Sequence, residues 1–265
     1  MEFTVTGGDI TTSSADAVIV NVFEGVTAPE GGTGAMDQAT GGAISKLILQ
    51  GDIRGKWGEF TLIHTFGRVA SPRVIVAGLG KQKDFDIDSV RNLAANLVRF
   101  ARKPGINTVA TLAHGAGIGG LDPAACAQAI AEGTLLGAYR FTRHKAPDAD
   151  RSELSSVSII ESDATKLRVM QSAAALGLIL AEATNIARDM ANEPSNHLTP
   201  TDLADRAQSL AKDTGVEFEV LESADMEAKG MGSLLSVSRG SAQPPKLIRM
   251  SYRGRGGEGY DLALV

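Results

Sequence analysis

The stretch Asn185–Gly215, NIARDMANEPSNHLTPTDLADRAQSLAKDTG, decides how the chain is divided. Ala181, Thr184, Ala187 and Met190 carry an apolar helical face into it from upstream. That helix is expected to break at Asn192-Glu193-Pro194, because the proline ring pushes Glu193 out of the α region. A new helix then starts, with Thr199 as N-cap, Pro200 at the first helical position and Asp202 closing a capping box. Leu203, Ala207, Leu210 and Ala211 form its expected buried stripe, and Gly215 suits its C-terminal stop. Everything upstream reads as one α/β domain. Everything downstream reads as the opening of a second.

Upstream, Phe3 and Val5 alternate with polar neighbours as a short strand ending at Gly7-Gly8. Ala15–Val22 (ADAVIVNV) is a continuous apolar run with β-branched residues, the pattern of a strand buried on both faces. A helix is expected from Gly31 through about Gln50, then strands over Phe60–Thr65 and Arg73–Ala77. Asp84, Asp86 and Asp88 favour the positive end of the next helix. Its core stripe is Val90, Leu93, Ala94, Leu97, Val98 and Ala101, and Pro104-Gly105 ends it. A strand over Thr108–Ala113 runs into a glycine-rich loop, Asp122-Pro123 caps a helix to about Tyr139, and Val157–Ile160 is a further strand. Strands alternating with helices predict a mostly parallel sheet flanked by helices over residues 1–162. Residues 163–191 read as a linker helix, whose Ala173-Ala174-Ala175 and Gly177 invite a closely packed neighbour. Residues 192–265 read as the incomplete start of a second α/β domain. There Val216, Phe218 and Val220 mark one strand and Lys246–Tyr252 another, before a glycine-rich turn at Gly254–Gly259 and an apolar end, Asp261–Val265.

Composition narrows the function. With 43% hydrophobic and 22% charged residues the chain is of ordinary globular type. A net charge of −5 argues against binding nucleic acid through a basic surface. The single cysteine, Cys126, rules out a disulfide framework or a cysteine-rich zinc site and fits a reducing compartment. The N-terminus lacks a signal peptide pattern, and no uninterrupted apolar run approaches the length of a membrane span. The expectation is a cytoplasmic protein without membrane association.

Several separated motifs, in order, resemble the leucyl (cytosol) aminopeptidases. They are Ala187–Pro200 (ARDMANEPSNHLTP), Lys229-Gly230-Met231-Gly232-Ser233-Leu234-Leu235, Gly240-Ser241, Pro244-Pro245-Lys246-Leu247-Ile248 and Tyr252-Arg253-Gly254. The resemblance implies a parent enzyme that removes N-terminal residues from peptides using two divalent metal ions, zinc or manganese, and that assembles as a hexamer with its N-terminal domains outermost. In that family a terminal Leu-Val strand leads into a Gly-Lys-Gly segment, and the metal-binding Lys, Asp and Glu and the catalytic Arg lie there or beyond. This chain is therefore expected to stop before the chemistry and to be inactive alone, with a role in assembly and architecture. No catalytic or metal-binding residue carries over to any position in it.

The residues themselves offer few alternatives. His64, His114, His144 and His197 are scattered, with no His-Glu-x-x-His motif. Asp202 and Asp205 share a helix face, as solvated acids commonly do. Gly115, Gly117 and Gly120 match G-x-G-x-x-G after a strand and before a helix, a context for phosphate at a helix N-terminus. No acidic residue follows at the position a dinucleotide ribose needs, so a tight turn with positive φ is the competing reading. Gly8-Asp9-Ile10-Thr11 and Asp16–Asn21 also resemble the start of macro domains, which bind ADP-ribose. Asp9 and Asn21 match, while Val22, Phe23 and Glu24 depart from that family's pattern, and Glu24 would set a negative charge near a phosphate. The aminopeptidase N-terminal domain is itself macro-like, and shared fold does not carry function. Cys126 with His114, or Ser195 with His197, could be drawn as nucleophile and base. A buried thiol and a self-satisfied polar turn are the better readings.

Overall fold

The computed structural model describes residues 1–102, 105–146, 153–254, 259 and 262–265. It divides into two compact units, Met1–Arg188 and Asp189–Val265.

The first unit runs β1 (Glu2–Gly7), β2 (Ala17–Val22), α1 (Gly31–Ala39), α2 (Ala43–Gln50), β3 (Phe60–His64), β4 (Arg73–Gly78), α3 (Ile87–Arg102), β5 (Thr108–Thr111), α4 (Pro123–Ala138), β6 (Ser156–Glu161) and α5 (Ala164–Asn192), whose last turn enters the second unit. Its strands form one six-stranded sheet in the order β1-β6-β5-β2-β4-β3, parallel except for β3. The antiparallel edge has a simple cause: the connection from His64 to Arg73 is too short for a crossover helix, so the chain can only fold back as a hairpin.

Both faces of the sheet are covered. Val18, Val20 and Val22 of β2 pack with Met36 of α1 and Ile44 of α2 on one side. Ala17 and Ile19 point the other way, into the layer made by α3, α4 and α5. The α3 stripe is buried at all six expected positions. Asp122 caps α4 by accepting from the Ala125 N–H at 2.8 Å. α4 lies so close to α3 that a Cβ on Gly133 would fall 2.1 Å from the Arg91 carbonyl oxygen, and one on Gly137 2.5 Å from the Ala95 Cα. α5 makes a similar approach, with the Gly177 Cβ position 2.6 Å from the Gln128 carbonyl oxygen.

Two helical expectations in this unit are corrected. The segment Gly31–Gln50 is two helices, not one. Gly41 and Gly42 both take positive φ between them, and the Asp37 carboxylate reaches across to accept from the Ser45 N–H and hydroxyl. On α5, Thr184 and Ala187 are exposed. The packed face is Met170, Ala174, Gly177 and Ala181, and it continues as Asn185 and Arg188, which donate to the Leu135 and Leu136 carbonyls at the end of α4. α5 is also long and apolar enough, by length and composition, to cross a membrane, although its charges are spaced so that no run is uninterrupted. Met170 and Ala174 on its packed face join the core of the first unit, while Leu176, Ile179 and Leu180 on the other faces are exposed.

The second unit contains α6 (Pro200–Thr214), β7 (Glu217–Leu221), α7 (Ser223–Ala228), α8 (Gly232–Ser238) and β8 (Leu247–Ser251). The capping box forms: Asp202 accepts from the Thr199 N–H at 2.9 Å and from its hydroxyl, and the Thr199 hydroxyl accepts from the Asp202 N–H. Such a cap stabilises a helix by about 1 kcal/mol. Gly215 ends the helix in the left-handed region, with φ 71°. β7 and β8 pair antiparallel, with Glu219 and Arg249 opposite one another and ion-paired at 2.9 Å. The buried stripe of α6 differs from expectation. Ala204 and Ala211 are buried and Ala207 half-buried, while Leu203 and Leu210 are 38% and 40% exposed. A two-stranded sheet offers a narrow surface, and the small alanines cover it at close range.

Pro104 and the turn residues 255–258 lie outside the described residues, as does Asp261. Leu262–Val265 form no strand and are exposed, since a lone extended segment has no neighbour to complete a ladder.

Candidate functional site

β2 leads to α1 on one face of the sheet, while its parallel neighbour β5 leads to α4 on the other. Such a reversal opens a crevice beyond the carboxyl ends of the two strands, where open α/β sheets take ligands. The unit has a cleft of about 530 Å³ there. Its walls are Gly8–Ile10 after β1, Asn21–Phe23 ending β2, Leu112, Ala113 and Gly115–Gly119 after β5, Ile160–Ser162 ending β6, and the start of α1.

Asn21 stands at the end of an otherwise apolar strand, and three buried groups hold it. The Thr33 hydroxyl donates to the Asn21 carbonyl at 2.8 Å, fastening α1 to β2. The side-chain Nδ2 lies 2.9 Å from His114 Nδ1, and His114 Nε2 lies 3.0 Å from Thr111 Oγ1. Thr111 Oγ1 in turn donates to the Leu112 carbonyl at 3.1 Å. An amide nitrogen can only donate, so Nδ1 accepts and the ring proton sits on Nε2. His114 is 1% exposed, and its burial pushes the imidazole down to about 4, which keeps it neutral. The relay fixes the orientation of the amide through its Nδ2.

Asp9 lines the same cleft. It accepts from the Thr11 N–H at 2.9 Å and the Thr11 hydroxyl at 2.8 Å, and these bonds, the backbone one foremost, hold its carboxyl below the usual range. Gly115 and Gly117 line it too, whereas Gly120 does not. All three glycines have positive φ, at 84°, 80° and 72°, as the tight-turn reading requires. At the N-terminus of α4, where the phosphate reading would place its ligand, the Asp122 carboxylate accepts from the Ala125 N–H. Glu24 is exposed and outside the lining, so it sets no charge in the cleft.

The remaining candidates are kept apart from chemistry. Both ring nitrogens of His114 are engaged, and burial raises the Cys126 thiol to about 12, so the two form no nucleophile and base. Ser195 and His197 lie in a turn, where the His197 N–H donates to the Pro194 carbonyl at 2.8 Å. Asp202 is engaged as a cap and Asp205 is exposed. Among the described residues no group of three or more His, Cys, Asp or Glu is placed to hold a metal ion. Sequence reading missed His114, Thr111 and Thr33 as supports of Asn21. The available signal was the amide itself, since a polar side chain in an apolar strand needs partners.

The sequence matches the N-terminal domain of the cytosol aminopeptidase family over residues 19–148 and that family's catalytic domain over residues 185–265. A probable cytosol aminopeptidase of Alkaliphilus metalliredigens (strain QYMF) is 39% identical over 267 residues, covering 100% of this chain and 53% of the relative. The bottromycin maturation enzyme BotP, solved in complex with Mn, is 30% identical with a TM-score of 0.71, covering 91% of this chain and 46% of that one. A tomato leucine aminopeptidase mutant superposes with a TM-score of 0.79 over 97% of this chain and 52% of that one, and at 19% identity it speaks for the fold. The chain thus spans about half the length of the curated relatives it matches. With both domains of one family matched in order, and a relative similar along the whole of this chain, the chain belongs to the cytosol aminopeptidase family.

Proposed function

We propose that this chain is the front part of a metalloaminopeptidase that removes N-terminal amino acids from peptides by two-metal hydrolysis. The observation that carries the reading is the catalytic-domain match over residues 185–265, contiguous with an N-terminal domain of the same family. Two ions would polarise the scissile carbonyl and activate a bridging water. BotP, a relative, has been solved with Mn, which supports manganese alongside zinc. The described residues do not fit such a pair of ions, so no step of the reaction is assigned to them. In this reading the ions are held by the part of the catalytic domain that follows, and the segment 1–191 serves assembly, packing in a hexamer and access to the site. The relatives' designation as cytosol aminopeptidases and the lone buried thiol of Cys126 support a cytoplasmic location.

Metal retention tests the division of labour. After loading with Mn or Zn and exhaustive dialysis, a version extended to the relatives' full length is expected to keep about two ions per chain. The 265-residue chain is expected to keep none. Two ions retained by the short chain would overturn the assignment.

A further inference from the structure

We propose that the outer face of α5 pairs with the same helix of a second copy of this chain, the two running antiparallel about a two-fold axis. The pairing rests on the assembly role given above to residues 1–191 and names its surface and partner. Opposite the buried Met170, Ala174, Gly177 and Ala181, α5 presents Val169, Ser172, Leu176, Ile179, Ala183 and Ile186. Successive members of this strip are three and four residues apart in strict alternation. That is the spacing by which two long helices keep one seam in contact. All six are exposed, Ile179 to 63%. The solvent side of a helix ordinarily carries charge, yet Glu182 is the only charged residue from Val169 to Ala187. A continuous exposed apolar strip of this kind marks an interaction surface.

The charges beside the strip choose the partner and its direction. Arg168 and Glu182 are two heptads apart, so they lie on the same flank of it, and both are exposed. In a parallel pair each would face an alanine of the other copy, at position 173 or 187. In an antiparallel pair like flanks meet. One register then sets Arg168 against the partner's Glu182, and the two-fold axis repeats the pair. The same register sets Val169 against the partner's Ile179 and Leu176 against the partner's Ser172, a large side chain against a small one. Ala173 and Ala175 flank the axis, where small side chains let two helices approach. The strip is thus complementary to itself in shape and in charge.

The test is sedimentation velocity of the 265-residue chain over a concentration series at low salt. A single helix pair is smaller than a standard stable interface, so a monomer should give way to a dimer with a Kd of about 100 µM. Ile179→Glu is expected to weaken the dimer at least about tenfold by burying a charge at the seam. It should leave the thermal unfolding midpoint unchanged, because Ile179 is exposed in the single chain. Arg168→Glu sets like charges against one another and should weaken the dimer about fivefold. Adding Glu182→Arg to it should restore the wild-type Kd. A chain that stays monomeric up to about 1 mM would overturn the proposal. So would a dimer indifferent to Ile179→Glu, or a double charge swap that restores nothing. A monomeric short chain beside an extended protein that buries Ile179 within one chain would assign the strip to the half that follows. Sedimentation of the short chain does not depend on metal retention, so the two proposals fail separately.

Discussion

Gly133→Ala is expected to destabilise the first unit by about 3 kcal/mol, lowering its unfolding midpoint by roughly 6–12 °C. In an exposed helix the same change would stabilise, by about 1 kcal/mol, since alanine is the better helix former. The sign reverses because the added Cβ would sit 2.1 Å from the Arg91 carbonyl oxygen and 3.0 Å from the Ala94 Cβ. No rotamer relieves a contact between Cβ and backbone, so α3 and α4 must part. Separation also loosens the Arg91–Glu132 pair, at 2.5 Å, in which Glu132 is 7% exposed and further held by Gln128 at 2.8 Å. Gly7→Ala is the control, because its Cβ would make an ordinary contact 3.5 Å from Leu167 Cδ2. Thermal and urea unfolding of the two variants check the claim. A Gly133→Ala chain as stable as the wild type would show that α3 and α4 are not packed this tightly.

The second large effect is on pH dependence. His114 titrates near its ordinary 6.5 in the unfolded chain and at about 4 in the folded one, with burial as the cause. The unfolded state therefore takes up the proton first as pH falls. The contribution to stability is complete above about pH 6.5 and is lost as pH drops towards 4, amounting to about 3 kcal/mol. Urea unfolding at steps between pH 7.5 and 4.5 should show this loss, and a folded His114→Gln chain should show a shallower one. The imidazole proton resonances give a second reading on the wild type: those of His114 should keep their neutral positions down to about pH 5. Titration of His114 near 6.5 would contradict the buried, neutral ring and the relay built on it.

Much of the fold was legible because it rests on local rules. The apolar run of β2, the period of α3, and the caps Asp122 and Thr199 each depend on residues within a few positions of one another. The failures lie where the deciding partner is distant or the signal was overridden. The glycines Gly41 and Gly42 announced a break that the apolar period on either side concealed. On α6, Ala211 is buried as expected, but Ala204 rather than Leu203 and Leu210 completes the buried face, since the neighbours that select it, β7 and β8, lie further along the chain. α7 and α8 are short and carry no strong period, so they were not foreseen. In the cleft, Asp9 and Asn21 were singled out by their resemblance to the start of macro domains. Asn21 and His114 are 93 positions apart, and their hydrogen bond exists only once β2 and β5 lie side by side.

The place of this chain in the family is tested most directly by release of a chromogenic amine from a leucine anilide with manganese or zinc added. The 265-residue chain would be assayed beside a version extended to the full length of its relatives. Hydrolysis by the extended protein alone is the result expected of a front part whose chemistry lies in the half that follows. Hydrolysis by the 265-residue chain, or by neither protein, would contradict it.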